Sequence, residues 1–396
     1  MAEPVDRPSC TRGTRVGEGH YDVAVIGAGI VGLAHALAAA RRGKSVVVID
    51  RDAQANGASI RNFGFVTVTG QQQGACWSRA MRSRDVWAEI VADAGIAVAH
   101  EGLAVIARRP EALAVLEAFR GTEMGRDCRM LSPGQARDRV PALRQDGVAG
   151  VMWSPHELRV ESRTAIPRLA GWLAERHGVT FLRSTLALAV APPQISTSRG
   201  PVMAETVVVC PGHERLALFP ERLEAYGMAD CQLQMLRVAP GKAGTCLGTA
   251  VMSDLGLVRY LGYSELPEAG PLRRRLEAEQ PDALEHGVHL IAVQSADGTM
   301  VVGDSHHYGP TLPPFAADAV DRIILDEFDA VLDVPGRHVT ERWVGTYASA
   351  PDRLMLVDSP SDAVRIVVVT SGTGASTAFA IAEEVVADLY GPEISA

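Results

Sequence analysis

Three short constellations in this sequence have residue types and spacing suited to chemistry. The first is Gly27, Gly29 and Gly32 in IGAGIVG, followed by Asp50 at the end of VVVID. Gly27 permits a tight turn, Gly29 lets the backbone approach a pyrophosphate, and Gly32 lets a helix pack closely on a strand. Asp50 would then accept hydrogen bonds from ribose hydroxyls. The second is SGTG, Ser371 to Gly374, ahead of a long apolar stretch. Such a turn aims helix N–H groups at an anion. The third is GDSHHYG, where His306, His307 and Tyr308 follow an apolar run. These side chains could contact an anion or an amine, or fill a structural role. A metal would need a third ligand, and the surrounding sequence offers none.

The elements that must position the first constellation are clear from hydrophobic patterning. Val23 to Ile26 and Val46 to Ile49 are continuous apolar runs of buried-strand type, and Ile30 to about Arg42 is helical. Strand, glycine turn, helix, strand and acid occur in register, which makes a βαβ dinucleotide-binding unit. The unit alone leaves FAD and NAD open.

A chain of 396 residues exceeds one core and implies two domains. Hydrophobic residues at 47% against 21% charged fit a soluble globular protein, and the net charge of -9 excludes a nucleic-acid partner. No apolar run approaches the roughly 20 residues that cross a bilayer. Residues 1–20 lack an apolar segment and are expected to be a disordered extension rather than a signal peptide. The six cysteines form no CxxC pair, which is consistent with reduced thiols in a cytoplasmic protein. Lys44 and Lys242 are the only lysines, so arginine carries nearly all the positive charge.

Along the rest of the chain, residues 51–75 read as a loop and Cys76 to about Ala99 as an amphipathic helix with Trp77, Met81, Val86, Trp87 and Ile90 on its core stripe. A strand is expected at Leu103 to Ala107. His156 and Glu157 could face an active site but are expected in a surface loop, before a helix bearing Leu169, Trp172 and Leu173. Thr206 to Cys210 is a strand leading to Gly212. Alternating patterns at Gln232 to Val238, Leu257 to Leu261, Gly287 to Gln294 and Thr299 to Gly303 predict an antiparallel sheet, with a charged surface helix between them. Arg365 to Thr370 reads as a buried strand and Ala375 to Leu389 as the last helix.

The fingerprint, the acid, the GASIRNFG loop and the C-terminal glycine turn resemble the D-amino acid oxidase, glycine oxidase and sarcosine oxidase superfamily of FAD-dependent amine oxidases. The resemblance implies an α/β fold: a Rossmann-like FAD-binding domain of glutathione reductase type, and a second α+β substrate domain built on an antiparallel sheet. The FAD domain would comprise residues 21–75, 145–215 and 339–392, and the substrate domain 76–144 and 216–338. Non-covalent FAD would be contacted by Gly27, Gly29, Ile30, Gly32, Asp50, Arg51, Ala58, Ser59, Arg61, Asn62, Gly64, Gly212, Gly345, Gly372, Thr373, Gly374 and Ser376. The second glycine turn favours FAD over NAD, since an NAD dehydrogenase does not require it. Three positions depart from the family pattern. Tyr347 stands where glycine oxidases place a carboxylate-binding arginine. Gly345 stands where sarcosine oxidases place a flavin-linking cysteine, and Ser376 where they place a lysine.

A narrower resemblance rests on GASIRNFGF, VMWSPHELRVE, CQLQMLR, VVGDSHHYG, ERWVGTYAS and IVVVTSGTG, which are similar to the oxidoreductases associated with bacterial phosphonate catabolism. It implies oxidation of a small aminophosphonate, such as 2-aminoethylphosphonate or an N-methyl or hydroxy derivative, to an imine that hydrolyses to phosphonoacetaldehyde. An alternative substrate is a small amino acid such as sarcosine, glycine or proline. Under this resemblance Arg61, Arg237, Arg259, Arg342, Tyr260 and Tyr308 would bind substrate, and Tyr347, His306 and His307 would act at the reacting centre. Each arginine could instead close a surface ion pair. Oxygen is the expected electron acceptor, and the protein is expected to be a monomer or homodimer with neither nucleic-acid nor membrane partners.

Overall fold

The computed structural model describes residues 19–392. Of the expected N-terminal extension, residues 1–18 lie outside the described residues, whereas His20 already opens the first strand. Two sheets organise the chain. The first has eight strands, with the six on its main path ordered Met355–Ser361, Val364–Val369, Gly200–Val209, His20–Ile26, Val46–Ile49 and Thr180–Leu182. Its central strands are parallel, and Val23, Ala24 and Val25 are completely buried in the middle. Burial on both faces explains why these strands are continuous Val/Ile runs rather than alternating ones.

The Ala/Leu-rich helix Ile30–Arg41 covers one face beside Gly374–Tyr390, Ala75–Ile90 and Ser162–His177. Trp87 joins this layer: its ring meets Phe379 edge-on at 5.1 Å and its indole N–H donates to the Ala375 carbonyl at 2.9 Å. The helix carrying the second glycine turn is thereby fastened to its neighbour.

The second sheet has ten strands and is antiparallel except where Ala250–Ser253 runs parallel to Val98–Ala107. Its longest ladder pairs Ala229–Ala239 with His338–Ser349, and a second pairs Val98–Ala107 with Gly150–Val160. Phe65–Val66, Gly150–Val160 and His338–Ser349, from stretches grouped above with the first domain, pair in this second sheet. The chain thus passes between the sheets several times, and the cavity described below lies where these crossings converge.

Three local expectations are corrected. The helix expected to reach Ala99 ends at Ile90, because Gly95 takes the left-handed conformation (φ +64°) and the chain turns into Val98–Ala107. His156 and Glu157 do not lie in a surface loop. They sit buried in Gly150–Val160, and a Glu157 carboxylate oxygen accepts the Thr69 amide at 2.7 Å. Leu257 to Leu261 is not a strand: Asp254–Val258 is a 3-10 turn leading into a short helix, and the strand of this region is Ala250–Ser253.

Candidate functional site

The glycine turns build one end of the site. Gly27 has φ +102°, and a Cβ there would press on the Cys210 carbonyl at 2.3 Å; one on Gly32 would fall 1.8 Å from the Gly27 carbonyl. Both glycines are demanded by packing of turn against strand and helix. The Ser59 hydroxyl accepts the first helical amide, Ile30 N–H, at 2.9 Å. Asp50 turns inward and accepts the Ala28 and Asp52 amides at 2.6 and 2.8 Å, so its carboxylate pins the turn. The second turn sits alongside, since a Cβ on Gly374 would lie 3.5 Å from Ile30 Cγ2. Two helix N-termini, at Ile30 and Gly374, therefore converge on the same space, with the partial positive charge that favours an anion.

From there a cavity of about 410 Å³ extends to the second sheet. Gly29, Ile30, Gly32, Ala58, Ser59, Arg61, Asn62, Gly212, Gly345, Gly372, Thr373, Gly374 and Ser376 line it. Arg259, Tyr260, His306, Tyr308 and Tyr347 line it too. Gly345 leaves no room for a side chain without crowding the Arg61 carbonyl at 3.0 Å. Gly372 is left-handed (φ +73°), and a Cβ there would fall 3.0 Å from the Tyr347 ring, so the second glycine turn packs close to the second sheet.

Several expected residues lie elsewhere. Arg237 donates to Thr299 Oγ1 at 2.8 Å and lies 3.3 Å from Glu341, a structural ion network. Arg342 donates to Asp321 at 2.8 Å. His307 lies 3.1 Å from His286 through their ring nitrogens, facing away from His306 as strand alternation requires. Arg51 is exposed beside Glu214, and Gly64 serves a close crossing, where a Cβ would fall 1.9 Å from the Val160 carbonyl. None of these five, nor Gly27 and Asp50, is among the lining residues.

The far end of the cavity is held by residues that the sequence did not bring together. His289 and Asp304 exchange backbone hydrogen bonds at 3.2 and 3.0 Å, and the His306 amide donates to the His286 carbonyl at 2.9 Å. The ladder therefore presents three side chains at one point. His289 Nδ1 lies 3.3 Å from Asp304 Oδ1, and His306 Nε2 lies 3.8 Å from Asp304 Oδ2. The 3.3 Å approach is misaligned: Asp304 Oδ1 and both His289 nitrogens have no hydrogen-bond partner. His306 Nδ1 lies 3.0 Å from the Gly287 carbonyl. A carbonyl only accepts, so Nδ1 carries the hydrogen and Nε2 presents its lone pair to Asp304. Burial pushes both imidazoles well below the usual histidine pKa, with Arg259 adding to the effect, so both are neutral. Burial also pushes Asp304 up to about 7, against the pull of Arg259.

The three side chains offer ligand atoms within 4.8 Å of one another, a grouping the sequence did not reveal around His306 and His307. Arg259, whose charge weighs on all three, brings a guanidinium to the same end of the cavity. Its guanidinium donates to the Tyr308 hydroxyl at 2.9 Å. Burial works against the arginine's charge, but Tyr308, Tyr347 and Asp304 outweigh it and the net shift is upward. Burial raises the Tyr347 hydroxyl well above its ordinary value, so it is a neutral donor.

These residues fit a bound flavin dinucleotide. Bare glycines and two helix N-termini would cradle its phosphates, and the cavity continues from there to a polar end. The model of the FAD dependent oxidoreductase family matches residues 22–389. Among solved structures, glycine oxidase from Bacillus cereus ATCC 14579 superposes with a TM-score of 0.75 at 16% identity, covering 94% of this chain and 95% of that one. L-proline dehydrogenase from P. horikoshii gives 0.74 at 20% identity, with 95% of each chain covered. FAD-bound L-alpha-glycerophosphate oxidase from Mycoplasma pneumoniae gives 0.70 at 14%, covering 94% of this chain and 95% of that one. A comparison with curated proteins finds no match. Among the described residues, no helix is long and apolar enough to cross a membrane.

Proposed function

The chain belongs to the family of FAD-dependent oxidoreductases, and from that premise we propose that it oxidises a small primary or secondary amine carrying one anionic group. FAD, when bound, supplies the two-electron acceptor for hydride removal from the carbon next to nitrogen. The protein's part is to hold the amine in place, shed water and grip the anionic end. The observation that carries this reading is Arg259, poised on Tyr308 at the polar end of the cavity that begins at the two glycine turns. It supplies the guanidinium that the Tyr347 position lacks.

The choice between anions follows from the count of free arginines. A dianionic phosphonate calls for several arginine forks, but Arg237 and Arg342 are committed to Glu341 and Asp321. Arg61, the other arginine on the wall, donates to the Asn56 side chain at 3.0 Å and to the Val344 carbonyl at 3.4 Å. One available guanidinium suits a monoanionic carboxylate, as in the substrates named for the glycine oxidase and proline dehydrogenase neighbours. An aminophosphonate is the second reading, favoured by the added hydroxyl donors of Tyr308 and Tyr347 on the same wall. Oxygen is the proposed acceptor.

Mixing the FAD-loaded protein anaerobically with glycine, sarcosine, proline, 2-aminoethylphosphonate and its N-methyl form tests this. Bleaching of the flavin by an amino carboxylate is expected. Bleaching by the phosphonates alone would establish the second reading, and bleaching by none would remove both.

A further inference from the structure

We propose that Asp304 is the ammonium-binding carboxylate of the pocket and the first acceptor of the substrate's proton. The inference rests on the amine reading above and adds to it the half of the substrate that Arg259 does not explain. Within one cavity the structure places a guanidinium, Arg259, and a carboxylate, Asp304. A small zwitterion presents the complementary pair.

Three features single out Asp304. First, in a residue only 4% exposed, neither carboxylate oxygen has a hydrogen-bond partner: Oδ1 is buried without one, and the nearest ring nitrogen to Oδ2, His306 Nε2, is 3.8 Å away. An orphaned buried acceptor is costly, and native structures rarely leave one without a reason. An ammonium group offers three donors, which Asp304 can receive through Oδ2, because Oδ1 is closed off beside His289 Nδ1. Second, its two nearest titratable neighbours, His289 and His306, are both uncharged, so neither cancels the carboxylate as a lysine or arginine in direct contact would. Third, the backbone that carries Asp304 is held by its pairing with His289, which fixes where the side chain enters the cavity.

The remaining groups around it are accounted for. Arg259 and Tyr260 face it from the turn after Val258. Tyr308 and Tyr347 come from the strands beyond, with Cys231 behind them, and all four of these hydroxyl and thiol groups are held neutral by burial. Proton transfer is balanced: one N–H bond of the ammonium breaks, one O–H bond forms on Asp304, and the electron pair stays on nitrogen. That pair is what the carbon needs in order to release hydride.

The test uses FAD-loaded protein and tert-butylamine, a cation with no hydrogen on the carbon beside nitrogen, which therefore binds without being oxidised. Calorimetry and the shift in flavin absorbance report binding, with tert-butanol as the neutral isostere. Because Asp304 titrates at about 7, affinity for the ammonium should rise about tenfold between pH 6 and pH 8. Asp304→Asn should weaken it roughly tenfold or more, the effect of losing a charge-assisted bond. Its flavin spectrum should match the wild type, which serves as the folding control. Equal binding by the two proteins would overturn the proposal. So would absence of ammonium binding to the wild type, or stoichiometric Zn²⁺ binding that the Asn variant loses. The amine panel above decides separately. Bleaching without Asp304-dependent ammonium binding removes only the role of Asp304. Asp304-dependent binding without bleaching removes only the oxidation.

Discussion

Replacing Asp304 by Asn should make the folded protein more stable, and the size of the gain should depend on pH in a defined way. The carboxyl group titrates at 3.8 when exposed and at about 7 in the folded chain. Below pH 4 it is protonated in both states and costs nothing. As pH rises through 4 the unfolded chain ionises first, so the folded state loses stability steadily until pH 7, beyond which the cost is constant. A shift of roughly 3 units at 1.36 kcal/mol each sets a ceiling of about 4 kcal/mol. Asparagine keeps the shape and carries no charge, so it lacks this slope. Arg259 offsets part of the gain, because it loses the nearby anion that favours its own charge. The assay is urea denaturation of both proteins at saturating FAD, with the variant-minus-wild-type difference taken at pH 4.5, 6 and 8. The difference should be about 1 kcal/mol in favour of Asn at the lowest pH and rise to about 4 kcal/mol at the highest. A difference that does not change with pH, or a variant less stable at pH 8, would refute the assignment of a strained buried carboxylate.

Other perturbations separate the two ends of the cavity. Arg259→Ala should weaken binding of a small carboxylate such as acetate by roughly 10- to 100-fold, the loss of a charge-assisted contact, while leaving FAD affinity unchanged; titration of the flavin absorbance measures both. Gly32→Ala puts a Cβ 1.8 Å from the Gly27 carbonyl, and opening the turn should cost about 1–3 kcal/mol, seen as weaker FAD retention in equilibrium dialysis. Trp87→Ala empties a site only 1% exposed and frees the helix that carries the second glycine turn. It should lower stability by about 3–5 kcal/mol in chemical denaturation.

The glycine-turn end of the cavity was legible in the sequence because its requirements are local. A glycine forced by the Cys210 carbonyl, another forced by Gly27, and the buried Val/Ile strands on either side all leave their mark within one βαβ unit. The C-terminal turn was legible for the same reason. Element ends were less so: residues 91–94 are compatible with helix, and only the left-handed Gly95 stops it. The apolar stretch at Leu257 to Leu261 looks like a strand, since short buried runs carry no usable period. The arginines could not be sorted at all. Arg237 and Arg259 sit in similarly apolar surroundings in sequence, and what separates them is the Glu341 and Thr299 partners that three-dimensional pairing delivers to one of them.

Asp304 and His289 were missed for a related reason that carries a lesson about the site. The antiparallel pair Ile291–Gln294 and Met300–Gly303 folds back through residues 295–299, and this brings His289 opposite Asp304. A hairpin of this kind places groups on the same spot without any close spacing in the chain, and it does so rigidly. A rigid ladder is also what makes an unpaired carboxylate tolerable: a flexible loop would turn Asp304 out to water and relieve its desolvation. The energy that burial costs here is held by the sheet, and it is recovered only when a cation arrives. The same ladder that hides the site from sequence inspection is therefore what keeps Asp304 charged or chargeable against the amine, in the same cavity as the arginine that takes the anion.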